Sequence, residues 1–291
     1  MSTHEIRLAT FSILIAALLL AGCEGRVTAD LVADAPADPD IQQVNATLAG
    51  LEFRRSDGGT ESLSFRNGQP VNLYDLLDGN AMRLFTDEEL PEGNYNGVRL
   101  VFDGDPRDDP IVVSGDGSVF PLTIEQGDYV GVNIQVDENE SSKDAFTLTL
   151  DLRQSLIFDD NADEYTLRPY LRSVDSDRFG VLIGTVDITC PSGSSLAQGG
   201  AVYLFSGRNI EPDDRDGVGV EPYATTDVYD TTNGQSAYAF RFLPEGDYTI
   251  AITCDGDQDS PDTDDSDDMS FALTDNVKVD RDDTQRYDFT N

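Results

Sequence analysis

The chain has 291 residues, a length for one large or two ordinary domains, and its 56 acidic against 19 basic side chains leave a formal charge of −37. Such a field repels nucleic acid and anionic head groups at long range, which excludes a nucleic-acid partner. His4 is the only histidine and tryptophan is absent, so a mature chain without its first residues has no Ser-His-Asp, Cys-His or His-ligated metal chemistry.

Arg7 precedes an apolar run from Leu8 to Leu20, followed by Ala21-Gly22-Cys23. A short apolar run ending in small residues reads as a secretory signal and is too short to span a bilayer comfortably. An ordinary signal with a chance cysteine is one alternative. In this context, however, Leu20-Ala21-Gly22-Cys23 resembles the bacterial lipobox. That resemblance implies cleavage before Cys23, several acyl chains on it, and a membrane anchor. More than one chain is what stable anchoring needs, since each buried methylene adds only about 0.8 kcal/mol. Glu24 lacks the aspartate that retains such proteins in the inner membrane, which favours the outer membrane. Residues 1–22 are then a lipoprotein signal peptide and 23–26 a lipidated tether.

From Val27 onward the pattern is short apolar alternation broken by turns. Val27–Val32 reads as a strand and Ala33–Pro39 as an exposed turn. Val44–Phe53 changes parity at Gly50, which predicts a bulge. Ser56-Asp57-Gly58-Gly59 is a hairpin signal. Val71–Leu77 reads as a strand or a single helical turn. Leu90-Pro91-Glu92-Gly93-Asn94-Tyr95 returns as Leu243-Pro244-Glu245-Gly246-Asp247-Tyr248. Proline presets the turn and glycine relaxes it, so leucine can end one strand and tyrosine begin the next. Val98, Leu100 and Phe102 share a face after the first copy; Tyr248, Ile250, Ile252 and Cys254 share one after the second. The two copies keep the same parity only with a bulge at Asn96-Gly97. Ile111–Val113, Val119–Ile124, Tyr129–Val136, Phe146–Leu152 and Tyr165–Arg172 complete the first set of strands. Short strands at near-regular spacing with almost no helical period indicate a sandwich.

Ala33–Pro36, Val71–Leu77, Leu90–Tyr95, Leu148–Leu156 and Tyr165–Val174, in that order, resemble the bacterial domain-of-unknown-function family numbered 4382. The resemblance covers Val27–Val174. It implies a lipoprotein module and brings no catalytic residues.

Asp175–Arg178 is a polar junction, after which Phe179–Thr189 starts a new alternation. Ile210–Val220 is an acidic, glycine-containing loop. Gly184-Thr185-Val186, Gly200-Ala201-Val202 and Phe240–Tyr248 resemble the prealbumin-like modules called carboxypeptidase-regulatory-like or collagen-adhesin B-type domains. These act as stalks, spacers or ligand-binding modules, and related folds bind starch. The reading is therefore all-β, with two sandwich domains in tandem (prealbumin-like or Ig-like), over 27–174 and 179–291, joined by 175–178.

Cys190 and Cys254 are the cysteines left once Cys23 is lipidated, and an even count in an exported chain reads as a disulfide; two buried thiols are the alternative. Asp255–Asp268 holds eight carboxylates and no cation. Alternating carboxylates can offer oxygens to one hard cation, which makes Asp255, Asp257, Asp259, Asp262, Asp264 and Asp265 candidate calcium ligands. A solvated hairpin loop that resists edge pairing is the competing reading. Asp159, Asp160, Asp163 and Glu164 form a weaker cluster. With so many acids some pair always suits glycoside hydrolysis, so that signal decides nothing. The function expected is a non-catalytic cell-envelope lipoprotein with a structural, adhesive or scaffolding role and an envelope protein or glycan as partner. A ligand-binding module for calcium or an extracellular carbohydrate is the alternative.

Overall fold

The computed structural model describes residues 25–103, 110–136, 143–261 and 269–290. The fold is all-β, built as two sandwiches in succession, each with its own apolar core.

The first sandwich faces two sheets across one core. The smaller orders Leu171–Asp175, Lys143–Asp151, Gly25–Asp34 and Met82–Leu90. Gly25–Asp34 runs parallel to Lys143–Asp151 and antiparallel to Met82–Leu90, and turns Val27, Ala29 and Leu31 inward. This strand begins two residues before Val27, inside the predicted tether. The larger sheet is organised on Ile41–Arg55, a strand long enough to pair with three others: Ile111–Ser114, Thr60–Asn72 and Gly93–Phe102. Its register slips between Leu48 and Gly50 against two partners, the predicted bulge. Gly50 sits at φ +156, where a Cβ would come within 2.0 Å of the Leu63 carbonyl oxygen. No side chain fits there, which is why the strand bends at a glycine.

Ser56–Gly59 closes the hairpin as expected, with Arg55 N donating to Gly59 O at 2.8 Å. Val71–Leu77 divides between the two readings. The strand Thr60–Asn72 ends on Asn72, whose side chain accepts from Tyr74 N, and a 3-10 turn follows over Leu73–Gly79. Two expectations need correction. Only Ile134–Val136 of the Tyr129–Val136 segment is strand, with Val130 making an isolated bridge to Val98. Tyr165–Arg172 is two strands in different sheets, because Pro169 lacks the N–H that would continue one ladder.

The second sandwich pairs a sheet ordered Tyr229–Asp230, Ser236–Leu243, Gly180–Asp187 and Thr284–Arg286 with one ordered Ala224–Asp227, Ala201–Ser206, Gly246–Thr253 and Phe271–Val279. Tyr248, Ile250 and Ile252 enter its core as predicted. The opposite face of that strand is buried too, since Ala251 packs with Tyr203 and Phe205 in a satellite cluster.

The two Leu-Pro-Glu-Gly corners do the same job in both sandwiches. In each, leucine closes one strand and glycine opens the next. The tyrosine hydroxyl then donates back to the proline carbonyl, Tyr95 to Pro91 at 2.7 Å and Tyr248 to Pro244 at 2.9 Å. The first copy carries its bulge at Asn96, between the Gly97–Arg54 and Tyr95–Arg55 pairs, which restores the common parity.

Candidate functional site

The chemistry that sequence reasoning missed lies where the sandwiches meet. The strand Lys143–Asp151 alternates Phe146, Leu148 and Leu150 into the core, which leaves Thr147, Thr149 and Asp151 on the other face. A polar row of that kind ordinarily meets water, yet these three residues are buried. Asp151 is 0% exposed and is met from the second sandwich by Thr225, whose N–H donates at 3.0 Å and whose hydroxyl donates at 2.9 Å. From its own turn it accepts Gln154 N at 3.1 Å and Gln154 Nε2 at 2.8 Å. Four donors converge on one carboxylate, which is how a buried charge is tolerated.

The turn after Asp151 places two more residues. Ser155 Oγ donates to the Asp151 carbonyl and accepts from Tyr170 N. Arg153, 2% exposed, leaves its own sandwich entirely. Its guanidinium donates to the Gly256 carbonyl, pairs with Asp227, and lies over the Tyr203 ring at 5.9 Å. Gly256 is required here, since a Cβ would stand 2.6 Å from Ala201 Cβ and 3.1 Å from Arg153 Nη1. Arg172, from the neighbouring strand and 3% exposed, pairs with Asp34 and stands 4.0 Å from Asp151.

The electrostatics follow from burial and pairing. Burial pushes the Asp34 carboxyl up to about 6, with Asp151 adding to the rise and Arg172 opposing it. Burial likewise raises Asp227, against Arg153. For Arg153 burial works against the charge, but Tyr203, Asp227 and Asp259 outweigh it and the guanidinium stays protonated. The same balance holds Arg172 charged through Asp34 and Asp151. Buried Arg153 and Arg172 thus pair with the part-exposed Asp227 and Asp34, and the contacts of Arg153 with Asp227 and Gly256 and of Asp151 with Thr225 tie one sandwich to the other. Clefts of about 930 and 520 Å³ open along this seam, and a third of about 660 Å³ opens away from it; each is lined by residues of both sandwiches.

The predicted site residues are dispersed. Cys190 and Cys254 form a disulfide, with Cα atoms 5.8 Å apart. Asp259 is buried and accepts from the Tyr203 hydroxyl and from Arg215 N. Asp255 accepts from the Ser270 hydroxyl at 3.4 Å, and Asp257 sits on a short 3-10 turn beside Gly199. Among the described residues no three His, Cys, Asp or Glu side chains gather as a metal-holding group. Cys23, Asp262, Asp264 and Asp265 lie outside the described residues. In the weaker acidic cluster, Asp159 accepts from Asn161 N and Ala162 N and so caps its own hairpin. The one signal that could have exposed the seam was Leu150-Asp151-Leu152-Arg153-Gln154, two opposite charges set in an apolar strand end.

Fold and seam together define an all-β protein of two sandwiches joined through a buried polar network. The chain belongs to the family described as a domain of unknown function (DUF4382), whose model matches residues 24–169. No curated protein matches it. Among solved structures it is similar to the Bacillus anthracis TIE protein, at 10% identity and a TM-score of 0.21, covering 92% of this chain and 34% of that one. The chain thus spans about a third of that protein. It is also similar to a candidate adhesin from Bacteroides ovatus (9% identity, TM-score 0.23, covering 98% and 99% of the two chains). A candidate cell adhesion protein from Bacteroides fragilis gives 7% identity and a TM-score of 0.21, covering 91% and 92%. Overlap this slight carries no argument about role.

Proposed function

We propose that this protein is a non-catalytic cell-envelope lipoprotein, held to the outer membrane by lipid on Cys23, whose two sandwiches serve as a structural, adhesive or scaffolding unit. The second sandwich, over 179–291, is read as a prealbumin-like spacer module. The observation that carries the proposal is the seam. Two buried charged side chains of the first sandwich find their partners on the second, Arg153 in an ion pair with Asp227 and Asp151 in hydrogen bonds from Thr225, which suits a unit that transmits position or load. The lipobox at Leu20–Cys23 and the single histidine at His4 support the same reading.

The test is metabolic labelling with a palmitate analogue followed by membrane fractionation. The parent is expected to carry label and sediment with outer membranes, and Cys23→Ala to lose both. A Cys23→Ala form labelled and fractionated like the parent removes the anchor. Turnover of an envelope polymer by the purified chain, lost when a pair of cleft carboxylates is changed to amides, removes the non-catalytic role.

A further inference from the structure

The cleft of about 930 Å³ has Gln154, Tyr170, Arg172, Arg215 and Tyr223 among its lining. Two of these residues carry polar groups that the seam leaves unused. Arg172 gives Nη1 to Asp34, while Nε and Nη2 have no hydrogen-bond partner. The Gln154 amide is oriented by Asp151, which takes Nε2 at 2.8 Å; its Oε1 has no partner. These side chains are only 3% and 2% exposed, and buried groups of this kind are ordinarily satisfied.

The geometry of what is left open is specific. Nε and Nη2 form the side edge of a guanidinium, the edge that grips both oxygens of a carboxylate. The unpartnered amide oxygen of Gln154, in the same lining, calls for a donor, either a hydroxyl or an ammonium. Arg168 and Arg215 line the same cleft, each already paired with a glutamate, Glu125 and Glu221. Glu125, Asp128 and Asp216 also line it, which penalises a dianion such as phosphate more than a monoanion. We infer that this cleft binds a small monocarboxylate bearing a neighbouring hydroxyl or ammonium, gripped edge-on by Arg172 and capped by Gln154 Oε1. Sugar acids and free amino acids share that chemistry. The two Arg172 nitrogens have no solvent contact, so the ligand seats as the cleft wall gives. The second sandwich contributes Tyr223, Pro261 and the irregular segment 210–222, where Arg215 lies over the Tyr170 ring at 4.6 Å.

The experiment is calorimetric titration of the full chain with glucuronate, with alanine, with glucose and with inorganic phosphate. One of the first two is expected to bind at one site per chain, and glucose to be silent. Arg172→Lys keeps the charge facing Asp34 but removes the fork, and should weaken binding at least tenfold. Silence of both acids at millimolar concentration, tighter binding of phosphate than of either, or equal affinity in Arg172→Lys would overturn the proposal. Should the variant fail to fold, the guanidinium Nε–H resonances of the parent decide. One buried signal should move with the carboxylate and stay still with glucose; if none moves, the site is refuted.

Discussion

Replacing Asp151 by alanine tests the seam most directly. The carboxylate is wholly buried and accepts from Gln154 N, Gln154 Nε2, Thr225 N and Thr225 Oγ1, all between 2.8 and 3.1 Å. Taken singly, a hydrogen bond onto a charged group contributes about 1.5–3 kcal/mol. The four share one acceptor, so their loss is not a sum. Removing one member of a buried charged network, at about 3–5 kcal/mol, sets the scale instead. Asp151→Ala also leaves Arg172 with Asp34 alone. The expected loss is about 4 kcal/mol, a large part of a stability that is typically about 5–15 kcal/mol. Asp151→Asn keeps the shape and one acceptor and should lose about half as much. Urea unfolding followed by circular dichroism and by tyrosine emission measures both, and in Asp151→Ala the second sandwich should unfold separately from the first. Thr225→Val completes a double-mutant cycle, with an expected coupling of about 1–3 kcal/mol. An Asp151→Ala protein within about 1 kcal/mol of the parent, or two substitutions that add to within about 0.5 kcal/mol, would refute the argument.

Four further outcomes are expected. Tyr95→Phe and Tyr248→Phe each remove one phenol-to-proline bond and should lower stability by a similar amount, about 1 kcal/mol apiece in urea melts. Reducing Cys190–Cys254 opens a loop of sequence separation 64 and should cost about 4 kcal/mol in the chain-entropy model, read as a fall in midpoint with reductant. Asp34 has a folded pKa raised from 3.8 to about 6. The folded state therefore binds its proton more readily than the unfolded chain, and this group's contribution falls as pH rises through that window. Urea midpoints should be higher at pH 5 than at pH 7, and Asp34→Asn should flatten the difference. Asp259→Asn weakens the bond from the buried Tyr203 hydroxyl and should lower the melting midpoint equally in calcium and in chelator; a loss confined to the calcium sample would assign Asp259 to a cation instead.

Local chemistry made much of the fold readable. The Gly50 bulge, the Ser56–Gly59 hairpin, both proline-glycine corners and the cysteine pair each depend on residues within a few positions, or on a count. Period-two alternation marked most strands for the same reason. The misreadings came where a local run was cut by one residue, as Pro169 cuts Tyr165–Arg172. The candidate site was nearly invisible. Thr147, Thr149 and Asp151 have the parity of a solvated face, and no window around them contains Thr225.

From its sequence alone this chain is an all-β protein with two repeated corners and a cystine, because turn geometry and strand alternation are short-range properties. Tertiary structure decided that Gly25–Asp34 pairs in parallel with a strand more than a hundred residues away, and that Asp151, at the end of a polar row, is met by Thr225 of the second sandwich. Those outcomes depend on which surfaces meet, and the free energy of burying Asp151, Arg153 and Arg172 exists only once both halves are in contact.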